Sequence, residues 1–180
     1  DSGNNYTNIG SWNTSGTLSS KAYKSGLNYI SNGVELCFGI SKYGRHTYRM
    51  EYDITNFVAG LEDADMVYWT LMPYNFSVEP KKVYIKIYAD HDFSDNLDVW
   101  GYGNKGGYAY VYDGYIEMST DGSLDSSEYM TILVKFPKGT FNTSNNKISQ
   151  NFNYYYEMAE EGADHYKESI WTKILRFLAA

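Results

Sequence analysis

Apolar and polar residues alternate along much of this chain with a period of two, the pattern of strands that bury one face. Residues 45–55 carry it cleanly. Tyr48, Met50, Tyr52 and Ile54 fall on one face, and Arg49, Glu51 and Asp53 on the other. Lys81–Tyr88 repeats it, with Val83, Ile85 and Ile87 inward and Lys82 and Lys86 outward. Met66–Met72 is a nearly continuous apolar run, which suits a central strand covered on both faces. Glu128–Phe136 reads as a further strand, stopped by Pro137, and Gly139 permits a bend beyond it. Shorter strands are expected at Tyr6–Trp12, Leu27–Ser31, Val34–Ile40, Val99–Tyr102, Gly107–Tyr112 and Tyr115–Ser119. Asn32-Gly33 and Asp113-Gly114 each sit between two apolar runs, where a type I′ hairpin turn needs positive φ at both central residues. Asn13–Lys24 is rich in Ser, Thr and Gly and reads as a loop, and Ser123–Ser127 as one helical turn.

Short strands separated by turn residues predict an all-β fold, an immunoglobulin-like antiparallel β-sandwich, with a closed barrel as the alternative. The character changes after residue 141, so the expected division is a sandwich domain over 1–141 and a tail over 142–180. In that tail Asn142–Asn153 is a polar loop, and Tyr154–Glu161 is helical up to Gly162. Asp164 then caps a C-terminal helix running to Leu178. Tyr166, Ile170, Trp171, Ile174, Leu175 and Leu178 make an apolar stripe at helical spacing. The stripe either packs on the sandwich or lies at a membrane interface, where Trp171 and nearby basic residues would suit headgroups.

Composition changes this picture in three ways. Twenty tyrosines, with Val, Ile and Thr, favour half-buried pleated surfaces, which strengthens the expectation of β structure. A net charge of −7 argues against nucleic acid and against direct contact with an anionic bilayer. The single cysteine, Cys37, rules out an internal disulfide and a cysteine zinc site, and its neighbours Leu36, Phe38 and Ile40 predict a buried, inert thiol. No run of about 18 apolar residues is present to span a bilayer as a helix. The chain opens at Asp1-Ser-Gly-Asn-Asn as a mature or trimmed product would.

One ordered set of positions runs through the middle of the chain. Tyr48, Met50, Tyr52 and Ile54 lead into Gly60-Leu61-Glu62-Asp63-Ala64-Asp65 and Tyr68-Trp69. Val83, Ile85, Ile87 and Trp100-Gly101-Tyr102-Gly103 follow, and the set closes on the stretch from Glu128 through Phe136-Pro137-Lys138-Gly139 to Phe141. In this order the chain resembles the outer domain of a bacterial predicted membrane-protein family, domain-of-unknown-function family 2207. The resemblance implies an extracytoplasmic domain on the cell surface, for which a non-catalytic interaction or scaffolding module is the expected function, with a carbohydrate-binding module using exposed Tyr and Trp and a soluble enzyme with an unrecognised site as the alternatives. It would be tethered to the cytoplasmic membrane by segments outside this chain, toward which the tail leads. It supplies no cofactor and no catalytic residues.

Candidate chemistry is sparse. Trp100, Tyr102, Tyr108, Tyr110, Tyr112 and Tyr115 form the densest aromatic group. Residues 108, 110 and 112 share one face of a strand, so they are core if that face is closed and a binding site if it is open, and core or half-buried structure is the preferred reading. An open face would suit a protein or a cell-wall glycan partner. Asp90, Asp92, Asp95 and Asp98, with His91 and Asn96, form the densest group of oxygen donors. They lack the calcium-loop spacing, so a solvated acidic loop is the preferred reading and a weak Ca²⁺ site the competitor. Glu62, Asp63 and Asp65 are read as turn chemistry, with Asp63 bonding nearby backbone N–H groups, rather than as a glycosidase pair. Gly101-x-Gly103-x-x-Gly106 precedes a strand pattern and not a helix, so it reads as a hairpin loop rather than a nucleotide cradle. The histidines show no metal or catalytic spacing, and no serine-nucleophile elbow is present.

Overall fold

A computed structural model describes residues 3–31, 33–76 and 78–163 of the chain. It is mostly β, rich in antiparallel pairing, with two short helices. The chain divides into two compact units between Asp53 and Ile54, not at 141.

In the first unit β1 (Thr7–Ser11), β2 (Lys24–Ile30) and β3 (Gly33–Phe38) form a three-stranded sheet in that order. The β2–β3 pairing closes at Ile30 opposite Gly33, so Gly33 belongs to the strand without a positive φ, one residue out of step with the type I′ turn expected at Asn32-Gly33. β1 runs parallel to β2, against the antiparallel expectation. A parallel neighbour needs a crossover, and residues 12–23 supply one that includes the short helix α1 (Leu18–Lys21). The Thr17 side chain caps α1 by accepting the Ser20 N–H at 3.2 Å.

Two expectations for this region are corrected. The alternating stretch 45–55 makes no strand ladder. Its period is right, but alternation produces a strand only where another strand takes the backbone hydrogen bonds, and Met50, Tyr52 and Ile54 stay exposed. Tyr48 instead packs edge-on against Tyr6 and at 4.8 Å from Phe38. Cys37 is half-buried rather than buried, because it sits on β3, an edge strand whose other residues are all exposed.

The second unit holds two sheets. The larger has the order β4-β5-β10-β7, from β4 (Ala59–Gly60), β5 (Ala64–Met72), β10 (Met130–Pro137) and β7 (Asp98–Tyr102). The smaller has the order β6-β9-β8, from β6 (Tyr84–Ile87), β9 (Tyr115–Ser119) and β8 (Tyr108–Tyr112). All pairings within them are antiparallel. Both apolar-rich strands of the sequence lie inside the larger sheet, β10 pairing with β5 on one side and β7 on the other.

The period-two pattern fills the space between the sheets. Ile132, Val134 and Phe136 of β10 and Val67 of β5 meet Ile116 and Met118 of β9, with Ile85 and Ile87 of β6 at the margin. The other face of the larger sheet is also covered. There Leu133, Met66 and Ala64 pack under Phe152 and Ala159 of α2 (Phe152–Ala163). This is why β5 and β10 read as continuous apolar runs.

α2 begins two residues earlier than the sequence suggests and continues through Gly162. The stretch 142–151, expected to be a polar loop, is pinned to the larger sheet. Ile148 N–H donates to Gly60 O, Gly60 N–H to Asn146 O, and Glu62 N–H to Gln150 O, at 2.9, 2.8 and 3.0 Å. Gly60 is required there, because a Cβ would stand 2.1 Å from Thr143 Oγ1. Residues 123–127 form no helical turn; the Asp125 carboxylate holds the Ser127 N–H at 2.9 Å instead. No helix among the described residues is long and apolar enough to cross a membrane. The helix expected from Asp164 and its apolar stripe lie outside the described residues.

Candidate functional site

The site begins with a turn. Asp113 and Gly114 both have positive φ, 49° and 78°, as a type I′ hairpin demands. That turn sets Tyr112 opposite Tyr115, Tyr110 opposite Glu117 and Tyr108 opposite Ser119. On the other side of β9, Lys86 faces Glu117 and Tyr84 faces Ser119. Because Ile85, Ile116 and Met118 pack in the core, the alternate residues are turned to solvent. The outer face of β6-β9-β8 therefore carries Tyr84, Tyr108, Tyr110, Tyr112, Tyr115, Lys86 and Glu117. Tyr84, Tyr108, Tyr110 and Tyr112 are 55%, 44%, 43% and 56% exposed, so the face is open and these rings are not core.

Glu117 organises it. Its carboxylate accepts hydrogen bonds from the hydroxyls of Tyr84, Tyr110 at 3.1 Å and Tyr115 at 3.2 Å. Lys86 Nζ lies 3.3 Å from the centre of the Tyr115 ring, a cation–π contact. The rings touch in series: Tyr108–Tyr110 tilted at 5.1 Å, Tyr110–Tyr112 edge-on at 6.4 Å, Tyr112–Tyr115 edge-on at 6.0 Å. Chiefly through the Tyr84 hydrogen bond, the Glu117 carboxyl is held below its ordinary value. The same hydrogen bond raises Tyr84, and its counterpart raises Tyr110; Tyr115 is raised first by desolvation and then by Glu117. Three phenols thus stay neutral donors around one carboxylate, and their rings are fixed before any partner arrives.

The six aromatic residues singled out from the sequence do not form one cluster. Tyr108, Tyr110, Tyr112 and Tyr115 share the open face. Trp100 and Tyr102 belong to β7 in the other sheet. Trp100 lies 5.5 Å from the Phe152 ring and 5.3 Å from Tyr156, and the Tyr102 hydroxyl donates to Glu160 at 3.1 Å. Burial, then Glu160, pushes the Tyr102 phenol well above its usual value. The glycine-rich stretch 103–107 carries the chain from one sheet to the other, which sequence proximity conceals. Sequence reasoning missed Tyr84, Lys86 and Glu117 as members of the face. The signal was present, since Tyr84 has the parity of the outward Lys82 and Lys86, and Glu117 that of Tyr115.

Where the edge strands β7 and β8 run side by side, a half-open cavity of about 410 Å³ forms. Trp100, Tyr102, Asn104, Tyr108 and Glu160 surround it over an apolar floor that includes Met118 and Met130. Tyr108 is common to this cavity and the tyrosine face.

The acidic residues are dispersed. Asp90, Asp92 and Asp95 are exposed in the connection between β6 and β7, and Asp90 bonds His91 at 2.8 Å, which lowers its carboxyl. Asp98 opens β7 opposite Lys135. Among the described residues no three His, Cys, Asp or Glu side chains gather to hold a metal ion. Asp63 bonds a backbone N–H as expected, but one distant in sequence, that of Phe152 at 2.8 Å. Asp65 is fully buried, accepting the Phe141 N–H at 2.9 Å with Lys138 Nζ at 3.8 Å. Comparison with family models finds no match for this chain, and comparisons with curated proteins and with solved structures find none either.

Proposed function

We propose that this chain is a non-catalytic binding domain whose tyrosine face takes a glycan. In this reading it is an immunoglobulin-like sandwich held outside the cytoplasm of a bacterium, on a membrane anchor outside this chain. The observation that carries the binding role is the open face of β6-β9-β8, which carries five tyrosines, three of them donating to the Glu117 carboxylate. Hexose rings present an apolar C–H face and a rim of hydroxyls, and the tyrosines offer the matching pair: ring surface and phenolic oxygens that still accept. Lys86 and Glu117 are charges of opposite sign, so the face favours a neutral chain over a polyanion. Rings already fixed by Glu117 lose little freedom on binding.

A protein partner is the second reading. It is favoured by the edge-on stacking of Tyr110, Tyr112 and Tyr115, which leaves fewer rings flat for sugars, and by the enrichment of tyrosine at interface centres.

Isothermal titration against neutral polysaccharides and oligosaccharides tests the first. Binding is expected in the micromolar-to-millimolar range, with Tyr110→Ala and Tyr112→Ala each weakening it about 3- to 10-fold. Glycan binding indifferent to both substitutions would refute the assignment of the face. Protease treatment of intact cells making the full-length protein tests the location, and protection of this domain would refute it.

A further inference from the structure

We propose that the cavity between β7 and β8 is a subsite for the terminal sugar ring of the glycan that the tyrosine face binds. The inference rests on the glycan reading of that face.

Three observations support it. The first is continuity. Tyr108 closes one side of the cavity and is also the first ring of the Tyr108–Tyr110–Tyr112 series. A chain lying along those rings reaches the cavity at Tyr108 and ends there, because β7 and α2 stand beyond. The second is size and shape. At about 410 Å³ the cavity lies in the range of small-ligand sites, and it is half-open, with aromatic walls and an apolar floor. Trp100 and Tyr108 give ring surface for the C–H face of a pyranose. The room exists because β7 and β8 belong to different sheets and share no ladder hydrogen bonds.

The third is the polar equipment. Asn104 Oδ1 accepts the Asp121 N–H at 3.4 Å, which leaves the Nδ2 group as a donor. Glu160 accepts the Tyr102 hydroxyl at 3.1 Å, which orients its carboxylate at the cavity wall. One donor and one oriented acceptor at the rim of an apolar cup match a ring hydroxyl that both gives and takes. Among the described residues Glu160 is the sole charged one lining the cavity. It repels an acidic sugar and accepts a neutral or amino sugar. The ligand class is therefore a non-anionic pyranose at a chain end.

Titration calorimetry with two probe sets decides this. One is a series of cello- and chito-oligosaccharides with an intact terminal ring, and the other is the same chains oxidised to a terminal uronate. Asn104→Ala and the near-isosteric Glu160→Gln are expected to weaken the intact chains about 10-fold each. The wild-type protein is expected to prefer intact over uronate ends by a similar factor, and Glu160→Gln to erase that preference. Tyr110→Ala, outside the cavity, is expected to weaken both probe sets alike. If Tyr110→Ala lowers affinity while Asn104→Ala, Glu160→Gln and the uronate do nothing, the terminal subsite is wrong and the tyrosine face stands. If the cavity variants alone lower it, the face assignment fails and the cavity remains a sugar site. No binding of any probe overturns both. Matching circular dichroism spectra and denaturation midpoints confirm that the variants are folded.

Discussion

Removing the carboxylate of Asp63 isolates a contact that joins two parts of the chain 89 residues apart. Asp63 Oδ1 accepts the Phe152 N–H at 2.8 Å, the first backbone donor of α2. Helix N-terminal N–H groups have no partner within the helix, so this bond satisfies one of them from outside. Asn151 Oδ1 satisfies another, the Tyr154 N–H at 3.1 Å, from the adjacent capping position. A lost cap costs about 1 kcal/mol, and the negative charge at the positive end of the helix adds ~0.3–1 kcal/mol. Asp63 is exposed, so water partly replaces it, and Asp63→Ala is expected to lower stability by about 1 kcal/mol. Asn151→Ala should cost a similar amount, and the double variant about 2 kcal/mol, because the two side chains serve different donors. Urea denaturation followed by tryptophan fluorescence gives the totals, and Trp100, packed on Phe152 and Tyr156, reports on the α2 contact. Amide hydrogen exchange gives the location. Exchange should quicken across 152–163 and stay unchanged in β8 and β9. A loss under ~0.3 kcal/mol in Asp63→Ala, or quickened exchange spread evenly over the unit, would refute the capping argument.

Three further outcomes are expected. Glu117 has a folded-state pKa below its ordinary value of 4.5, so its contribution to stability is present above that pH and is lost as pH falls through the lower, folded value. Acid denaturation midpoints of Glu117→Gln should therefore converge on wild type at low pH, and a constant offset at every pH would count against the network. In an ultraviolet phenolate titration Tyr84, Tyr102, Tyr110 and Tyr115 should ionise above the ordinary value of 10.0, with the stability tied to them present below that pH and lost as pH rises through the raised values. Glu117→Gln should bring Tyr84, Tyr110 and Tyr115 down but leave Tyr102, whose partner is Glu160, where it is; a shift in Tyr102 would contradict the separation of the two sites. Leu133→Ala removes a side chain with no exposed surface from beneath α2 and should cost about 2–5 kcal/mol by denaturant melt, with a smaller loss showing that α2 collapses into the gap.

The sequence by itself determined the β character and most strand positions of the second unit, because alternation and turn residues act locally. Val83, Ile85 and Ile87 are turned inward as their spacing requires, and Asp113-Gly114 takes the two positive φ values that its residue types permit. That Tyr108, Tyr110 and Tyr112 share one face was likewise legible, but the preferred reading of that face as core was not right, because which parity turns outward depends on what packs against the sheet. Tertiary structure alone decided three things. It left residues 45–55 outside any strand ladder, because a ladder needs a neighbour and no local pattern names one. It made β1 parallel to β2, which depends on the crossover between them. It also divided the aromatic group, sending Trp100 and Tyr102 beneath α2 while Tyr84 and Glu117 joined Tyr108–Tyr115 on the open face. Side-chain parity is a property of one strand. Which sheet a strand joins, and whether a face is covered, depends on where distant segments pack, and here α2 closed one face and left the tyrosine face open.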